Sequence, residues 1–256
     1  MKQAIRAVGW FTNVLLIVLL VFTATAIQSA FQLSQRGFSF SEPITSVSNG
    51  TMILSVPFNI NNVGFYDISN FNLTTKVESS QGISISNSST FVPLIPKGEN
   101  VSITHNIALN LSNMLSKGLS YMLFNDSTLN VDVSVKVEYA KFIPLQISFN
   151  RSMPWGAPLY NLTVENPTIE GVDLIIPISF QNHSFYALNG TMTLGLLDDS
   201  NQLVSTGTTD LNVQPQSGYN SPVRVLISGD PSRIREALLS FDTSVFSYGP
   251  VVFSIV

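Results

Sequence analysis

The sequence predicts a mainly β protein: an N-terminal transmembrane helix followed by two antiparallel β-sandwiches of immunoglobulin or fibronectin type III kind, each carrying one short helix. Three observations support this. An apolar run near the N-terminus is long enough to span a bilayer. Short stretches of alternating apolar and polar residues fill the remainder of the chain. One stretch occurs twice, as Ser55-Val56-Pro57-Phe58-Asn59-Ile60-Asn61-Asn62-Val63-Gly64-Phe65-Tyr66 and again, 120 residues later, as Ile175-Ile176-Pro177-Ile178-Ser179-Phe180-Gln181-Asn182-His183-Ser184-Phe185-Tyr186.

Between Arg6 and Arg36 there is no charged residue, and Trp10 to Ile27 is almost wholly apolar. About 20 helical residues at roughly 1.5 Å each cross a hydrocarbon core of roughly 30 Å. Residues 10–27 are therefore expected to hold the chain in a membrane, within a segment 1–36 made of stub, anchor and spacer. A cleaved signal peptide is the competing reading, because Ala24-Thr25-Ala26 has the small-x-small form of a cleavage site. Lys2 and Arg6 precede the run, so the positive-inside bias places the N-terminus in the cytoplasm and the sandwiches outside the cell membrane.

The first sandwich is expected over 37–151. Phe38 and Phe40 open an edge strand. Met52, Leu54, Val56, Phe58 and Ile60 alternate through the repeated stretch, where Pro57 calls for an edge strand or a bulge. Phe71, Leu73, Thr75 and Val77 form the next run, and Ile83 and Ile85 a weak one. Val101, Ile103, His105, Ile107 and Leu109 alternate cleanly, which points His105 inward. Leu111, Met114, Leu115, Leu119 and Met122 recur at three and four residues as an amphipathic helix with Gly118 inside it. Val131 to Tyr139 and Ile143 to Phe149 complete the unit. Two prolines and a glycine in Met153-Pro154-Trp155-Gly156-Ala157-Pro158 predict a stiff linker at 152–157.

The second sandwich is expected over 158–256. Tyr160, Leu162 and Val164 open it, the repeated strand follows at 172–181, and Met192, Leu194 and Leu196 answer Phe71, Leu73 and Thr75. Val223, Val225 and Ile227 lie 120 residues beyond Ile103, His105 and Ile107. Asp230-Pro231-Ser232 has the form of a helix start, giving a helix with the apolar face Ile234, Leu238 and Phe241. Val251, Phe253 and Ile255 form a last strand.

Charged residues make up 11% of the chain and the net charge is -4, so no basic field is present to attract nucleic acid. With no cysteine, disulfides and thiolate metal sites are excluded. His105 and His183 are the two histidines. His105 is expected in the core with a backbone partner, and His183 in an exposed loop. Asp198-Asp199-Ser200-Asn201 lacks the glycine and distal glutamate of a calcium loop and reads as a solvated turn. No carboxylate pair, phosphate loop or serine elbow stands out, so neither catalysis nor a cofactor or metal is expected.

The acceptor pattern Asn-x-Ser/Thr occurs at Asn49, Asn72, Asn87, Asn100, Asn110, Asn125, Asn150, Asn161, Asn182 and Asn189. With 22 asparagines and 52 serines plus threonines among 256 residues, chance alone yields about four or five such sites. The excess, all beyond the apolar run, points to a glycosylated exterior.

Val164-Glu165-Asn166-Pro167, followed by Ile176-Pro177-Ile178-Ser179-Phe180-Gln181-Asn182 with Phe185-Tyr186 behind, resembles the late embryogenesis abundant group 2 family, whose unit is also called the water-stress and hypersensitive-response (WHy) domain. The Asn-Pro pair has no sequence copy in the first repeat. The resemblance implies a non-catalytic sandwich linked to stress protection and often tethered to a membrane. The expected function is thus a surface-anchored structural or binding protein, admitting a partner in the cell envelope. The alternative is an archaeal pilin-like filament subunit with the N-terminal helix as fibre core. Sparse charge further suggests an archaeal surface exposed to acid.

Overall fold

The computed structural model describes residues 2–48, 50–227 and 230–255. Helix α1 (Lys2–Arg36) leads into β1 (Phe38–Phe40), β2 (Ile44–Ser48), β3 (Thr51–Asn61), β4 (Ile68–Ser79), β5 (Ser84–Ile95) and β6 (Asn100–Asn110). The short helix α2 (Leu111–Ser116) and a 3-10 turn (Ser120–Leu123) precede β7 (Ser127–Tyr139) and β8 (Ile143–Trp155). The second unit contains β9 (Tyr160–Val164), β10 (Thr168–Glu170), β11 (Asp173–Asn182), β12 (Leu188–Asp198), β13 (Leu203–Val213), β14 (Ser217–Leu226), β15 (Ile234–Thr243) and β16 (Ser247–Ser254).

The second eight strands repeat the topology of the first eight. In each unit one sheet has a central strand, β3 or β11, bonded on one side to β6 or β14 and on the other to a pair of short strands, β1 with β2 or β9 with β10. The facing sheet runs β5-β4-β7-β8 or β13-β12-β15-β16. All of these pairings are antiparallel.

The prolines explain the split partner strands. Pro57 and Pro177 lie in sheet interiors, with no register shift at either in the pairing to β6 or β14, and not on the edge strand or bulge expected from the sequence. The backbone carbonyl of Pro57 accepts the Ser41 N–H at 3.0 Å, and that of Pro177 accepts the Glu165 N–H at 3.0 Å. N and O of one residue face the same neighbour in an antiparallel strand, so the missing N–H also faces this side. There the outer strand breaks, between β1 and β2 at Glu42-Pro43 and between β9 and β10 at Asn166-Pro167. The Asn-Pro pair therefore has a positional counterpart in the first unit, Glu42-Pro43.

The conserved offset of 120 residues also marks a shared loop clamp. Asn62 and Asn182 are fully buried. The Asn62 side-chain amide donates to the Tyr66 and Ile95 carbonyls, both at 3.0 Å. The Asn182 amide donates to the Tyr186, Val213 and Gln214 carbonyls at 2.8, 3.3 and 3.1 Å. Their Oδ1 atoms accept the N–H two residues on, from Gly64 and Ser184.

Several expected elements differ. Residues 230–241 are not a helix: a 3-10 turn, Pro231–Arg233, is capped by Asp230 and runs straight into β15. The buried residues are Ile234, Ala237, Leu239 and Phe241, so the two-residue alternation of the last three prevails over the three-to-four spacing. Pairing to β12 and β16 satisfies its backbone on both sides. The helix after β6 stops at Ser116, and Gly118 turns the chain at φ 80°. Residues 152–155 of the expected linker belong to β8, and of the weak run at Ile83 and Ile85 the second isoleucine lies at the start of the twelve-residue β5, with Ile83 just before it.

Two buried clusters fill the molecule. One joins Leu33 of α1 to Phe58, Ile60, Ile68, Phe71, Leu73, Ile95 and Tyr139 at the helix end of the first sandwich. The other runs from Met52, Val77, Leu109 and Met122 through Trp155 and Leu159 into the second sandwich at Tyr186, Met192 and Phe241. The units thus share a core at their junction.

Candidate functional site

The first sandwich is open between its two clusters. A slot of about 220 Å³ lies between the sheets, lined by Val56, Phe58 and Ile107 on one and by Leu73, Val133 and Phe149 on the other, among others. Its two polar residues are Thr75 and His105. The strands place these side chains by register: Thr75 pairs with Val133, Val133 with Phe149, and Val56 with His105. Alternation turns all of them toward the interior.

His105 is 3% exposed. Its Nδ1 lies 2.8 Å from Thr90 Oγ1 and its Nε2 3.0 Å from Thr75 Oγ1. A hydroxyl can donate or accept, so a neutral ring satisfies both contacts in either tautomer. The expected backbone partner is replaced by two threonines. Burial holds the imidazole below its ordinary pKa, toward the neutral form.

Beyond the slot, the inward face of β8 overhangs. Leu145, Ile147, Phe149 and Met153 share this face and are 37, 68, 55 and 42% exposed. The slot therefore widens into an apolar groove along β8 from the α1 end at Leu145 to Phe149, and the exposed Arg151, paired with Val131 on the same face, ends its apolar part before Met153.

The second sandwich is closed at the matching place. Val223 pairs with Ile176 as His105 pairs with Val56, so Val223, and not Val225, is the counterpart of His105. The β4–β5 hairpin is longer than the β12–β13 hairpin by two residues, with Ile68 paired to Ile95 and Leu188 to Val213, which displaces the expected 120-residue match. Leu196 stands where the first unit has Thr75, and Gly207, paired with Leu194, where it has Thr90 paired with Leu73. A Cβ at Gly207 would stand 2.5 Å from the Arg224 carbonyl oxygen and 2.8 Å from Val225. The absence of a side chain there lets β13 close on β14. Ile176, Val225 and Leu196 are fully buried in consequence. The trio His105, Thr75, Thr90 is replaced as a unit by Val223, Leu196, Gly207.

His183 is not a free loop residue. Its Nδ1 is 2.8 Å from Asp126 Oδ2 of the first unit, its Nε2 is 2.9 Å from Gln181 Oε1, and its ring stacks on Tyr160 at 4.2 Å. Burial resists ionisation of Asp126, but the Ala157 N–H and the His183 ring outweigh it and hold the carboxyl below the usual range. Asp198 accepts the N–H groups of Ser200 and Gln202, both at 2.9 Å, and Asp199 pairs with Arg233 at 2.7 Å. Among the described residues no group of three or more His, Asp or Glu is placed to hold a metal ion.

Of the acceptor asparagines, Asn87, Asn100, Asn125, Asn150, Asn161 and Asn189 are exposed. Asn72 and Asn110 are half-buried; Asn110 caps α2 by accepting the Asn113 N–H at 2.7 Å. Asn182 is enclosed with its amide fully engaged, so the folded chain offers it to no glycan. Asn49 lies outside the described residues.

Helix α1 is long and apolar enough to cross a membrane, with a mean hydropathy of 2.3 over its Thr12–Leu33 stretch. Its second half packs on the first sandwich. Thr25 Oγ1 is 2.9 Å from the Tyr66 hydroxyl, Ser29 Oγ accepts the Phe65 N–H at 3.0 Å, and the Phe22 ring lies 5.2 Å from Tyr66 and 5.3 Å from Phe142.

No protein-family profile matches this chain, and no curated protein matches it in sequence. Solved structures with some likeness include red sea bream transglutaminase, at 16% identity and a TM-score of 0.29, covering 81% of this chain and 29% of that one. The periplasmic chaperone SfaE is 13% identical with a TM-score of 0.29, over 84% of this chain and 98% of that one. S. aureus TarS 217-571 is 12% identical with a TM-score of 0.31, over 84% and 62%.

Proposed function

We propose that this chain is a non-catalytic, single-pass surface protein whose membrane-proximal sandwich takes up the apolar tail of a small molecule. The open slot of the first sandwich, set against its closed copy in the second, carries this reading. An empty cavity costs roughly 24 cal/mol per Å³, so about 220 Å³ left unfilled costs at most about 5 kcal/mol. That is comparable with the whole stability of many domains. The volume exceeds the roughly 150 Å³ of an apolar cavity that admits benzene, and the groove along β8 leaves room for a chain to extend. His105 and its two threonines satisfy one another, so the surface facing the slot is apolar almost throughout, which suits an apolar chain. The orientation follows from Lys2 and Arg6 on the cytoplasmic side, glycans on the exposed asparagines fit an external location, and the resemblance to the WHy family agrees with a tethered, non-enzymatic sandwich.

The test uses the full chain in nanodiscs, with Phe149→Trp as reporter and a brominated long-chain fatty acid as quencher. Saturable quenching, reduced at least tenfold in affinity when Val133→Phe fills the slot, supports the reading; a non-saturable signal that Val133→Phe leaves unchanged defeats it.

The filament reading draws on a different observation. Ile27 of α1 is 66% exposed. A mature N-terminus at Trp10, with sedimentable fibres, would favour it over the anchor.

A further inference from the structure

We propose that the base of the first sandwich is itself seated in the lipid headgroup layer, with Phe65 and Phe142 dipping into the interface and Lys97 and Lys141 meeting lipid phosphate. This rests on the reading of α1 as an anchor. Its starting point is a conflict of lengths. If the apolar stretch Thr12–Leu33 were centred in a bilayer, Phe22 would lie at the midplane, yet Phe22 is stacked on Phe142 and tilted against Tyr66 of the sandwich. The polar loops would then be carried into hydrocarbon, where unpaired backbone groups are very costly. Phe22 makes the first described side-chain contact with the sandwich, and the charge-free run before it, Ala7 to Val21, has 15 residues. At roughly 1.5 Å per residue this reaches about 22 Å, and the long Arg6 side chain, snorkelling toward the headgroups, extends it toward the roughly 30 Å of a hydrocarbon core. The span therefore shifts toward the N-terminus of the expected 10–27, and the first contacts of the sandwich fall at the edge of the hydrocarbon.

What stands at that level is suited to it. Phe65 and Phe142 are 48 and 66% exposed beside the helix, where aromatic rings concentrate in membrane proteins. Lys97 and Lys141 are exposed, and among the described residues neither ammonium group has a carboxylate within 4.0 Å. Their long stems allow the ammonium groups to reach phosphate while the aromatic rings go deeper. The platform is fixed: the Asp67 carbonyl accepts the Ala140 N–H at 3.0 Å and its carboxylate accepts the Lys97 N–H at 3.0 Å. Ala140 and Lys141 hold φ of 55 and 67°, a turn that ordinarily selects asparagine and glycine. Non-glycine residues in that region carry a conformational cost that tends to persist at functional positions.

The test uses the full chain in vesicles of phosphatidylcholine and phosphatidylglycerol whose acyl chains are brominated near the carbonyl end or near the methyl end. Trp10→Phe removes one native indole. Trp155 remains as a buried internal reference, about 40 Å along β8 from the collar. Phe142→Trp reports the collar and Ile17→Trp the span. The proposal expects Ile17→Trp to be quenched most by deep bromines and Phe142→Trp at least twofold more by shallow bromines than by deep ones. Lys97→Glu with Lys141→Glu should at least halve the Phe142→Trp quenching and leave Ile17→Trp unchanged. Quenching at Ile17→Trp without any at Phe142→Trp overturns the collar and leaves the anchor standing; no quenching at either removes the anchor and the collar with it. A Phe142→Trp signal that follows protein dilution and ignores bromine position would place a second copy there and overturn the lipid assignment.

Discussion

Replacing Trp155 with alanine should uncouple the two sandwiches. Trp155 ends β8, is 1% exposed, donates its Nε1–H to the Met122 carbonyl at 2.9 Å, and has the Phe185 and Tyr186 rings of the second unit 6.4 Å away. Ala157 and Leu159, next in the chain, are fully buried. Removing a buried aromatic of this size costs about 3–5 kcal/mol. The stranded carbonyl adds about 1–3 kcal/mol where water cannot reach it. For a chain of this length each kcal/mol shifts the midpoint by about 2–4 °C, so a fall on the order of 10 °C is expected. Trp155→Phe keeps a ring and loses only the N–H, and should cost about 1–2 kcal/mol. The assay is denaturant and thermal unfolding of the full chain in nanodiscs, followed by circular dichroism and by tyrosine fluorescence. The natural chain should unfold in one transition, and Trp155→Ala in two, because the shared core no longer ties one unit to the other. A single transition with a loss under about 1 kcal/mol would show that the junction carries no coupling and would refute the shared core.

Two further outcomes follow. His105 is held below its ordinary pKa by burial, so the unfolded chain takes up a proton near pH 6.5 while the folded chain does not. Its contribution is fully present above that pH and is lost as pH falls toward the lowered folded value, by up to about 1.4 kcal/mol per pH unit. His105→Val, which installs the residue found at matched position 223, should flatten the stability difference between about pH 7.5 and about pH 5.5, a range in which Asp126 stays ionised. An undiminished difference in chemical denaturation would contradict the assignment. For the glycans, mass spectrometry of peptides from the native host should find modification among Asn87, Asn100 and Asn189 and none at Asn182; a glycan on Asn182 of the folded chain would contradict its burial.

The strands were readable wherever one face is core and the other solvent, as at Val101 to Leu109 and Val131 to Tyr139. They were obscured where both faces are polar or exposed: β5 carries Ser84, Ser86, Ser88 and Ser89 and hides behind two isoleucines. At β15 a start signal and a three-to-four spacing mimicked a helix, because Asp230 and Pro231 cap a single turn as well as a long helix. The repeat was legible from Asn62 and Asn182, although their role as loop clamps is a property of three dimensions. The inward phase of His105 was visible in the alternation, but its threonine partners come from β4 and β5, 30 and 15 residues away. The slot had no local signal at all. It exists because Thr75, His105 and Thr90 hold positions that the second unit gives to Leu196, Val223 and Gly207, and only a strand-by-strand comparison of the two units reveals that exchange.

The central claim is that the first sandwich is open in order to be filled. The most direct measurement is anomalous scattering from crystals of the full chain, grown in a lipid mesophase with a brominated fatty acid. The account predicts a bromine peak within van der Waals distance of Val56, Val133 and Phe149, present in the natural chain and absent from Val133→Phe. Well-ordered sandwiches with no bromine in the slot, or with β8 collapsed onto β1 so that no slot remains, would contradict it.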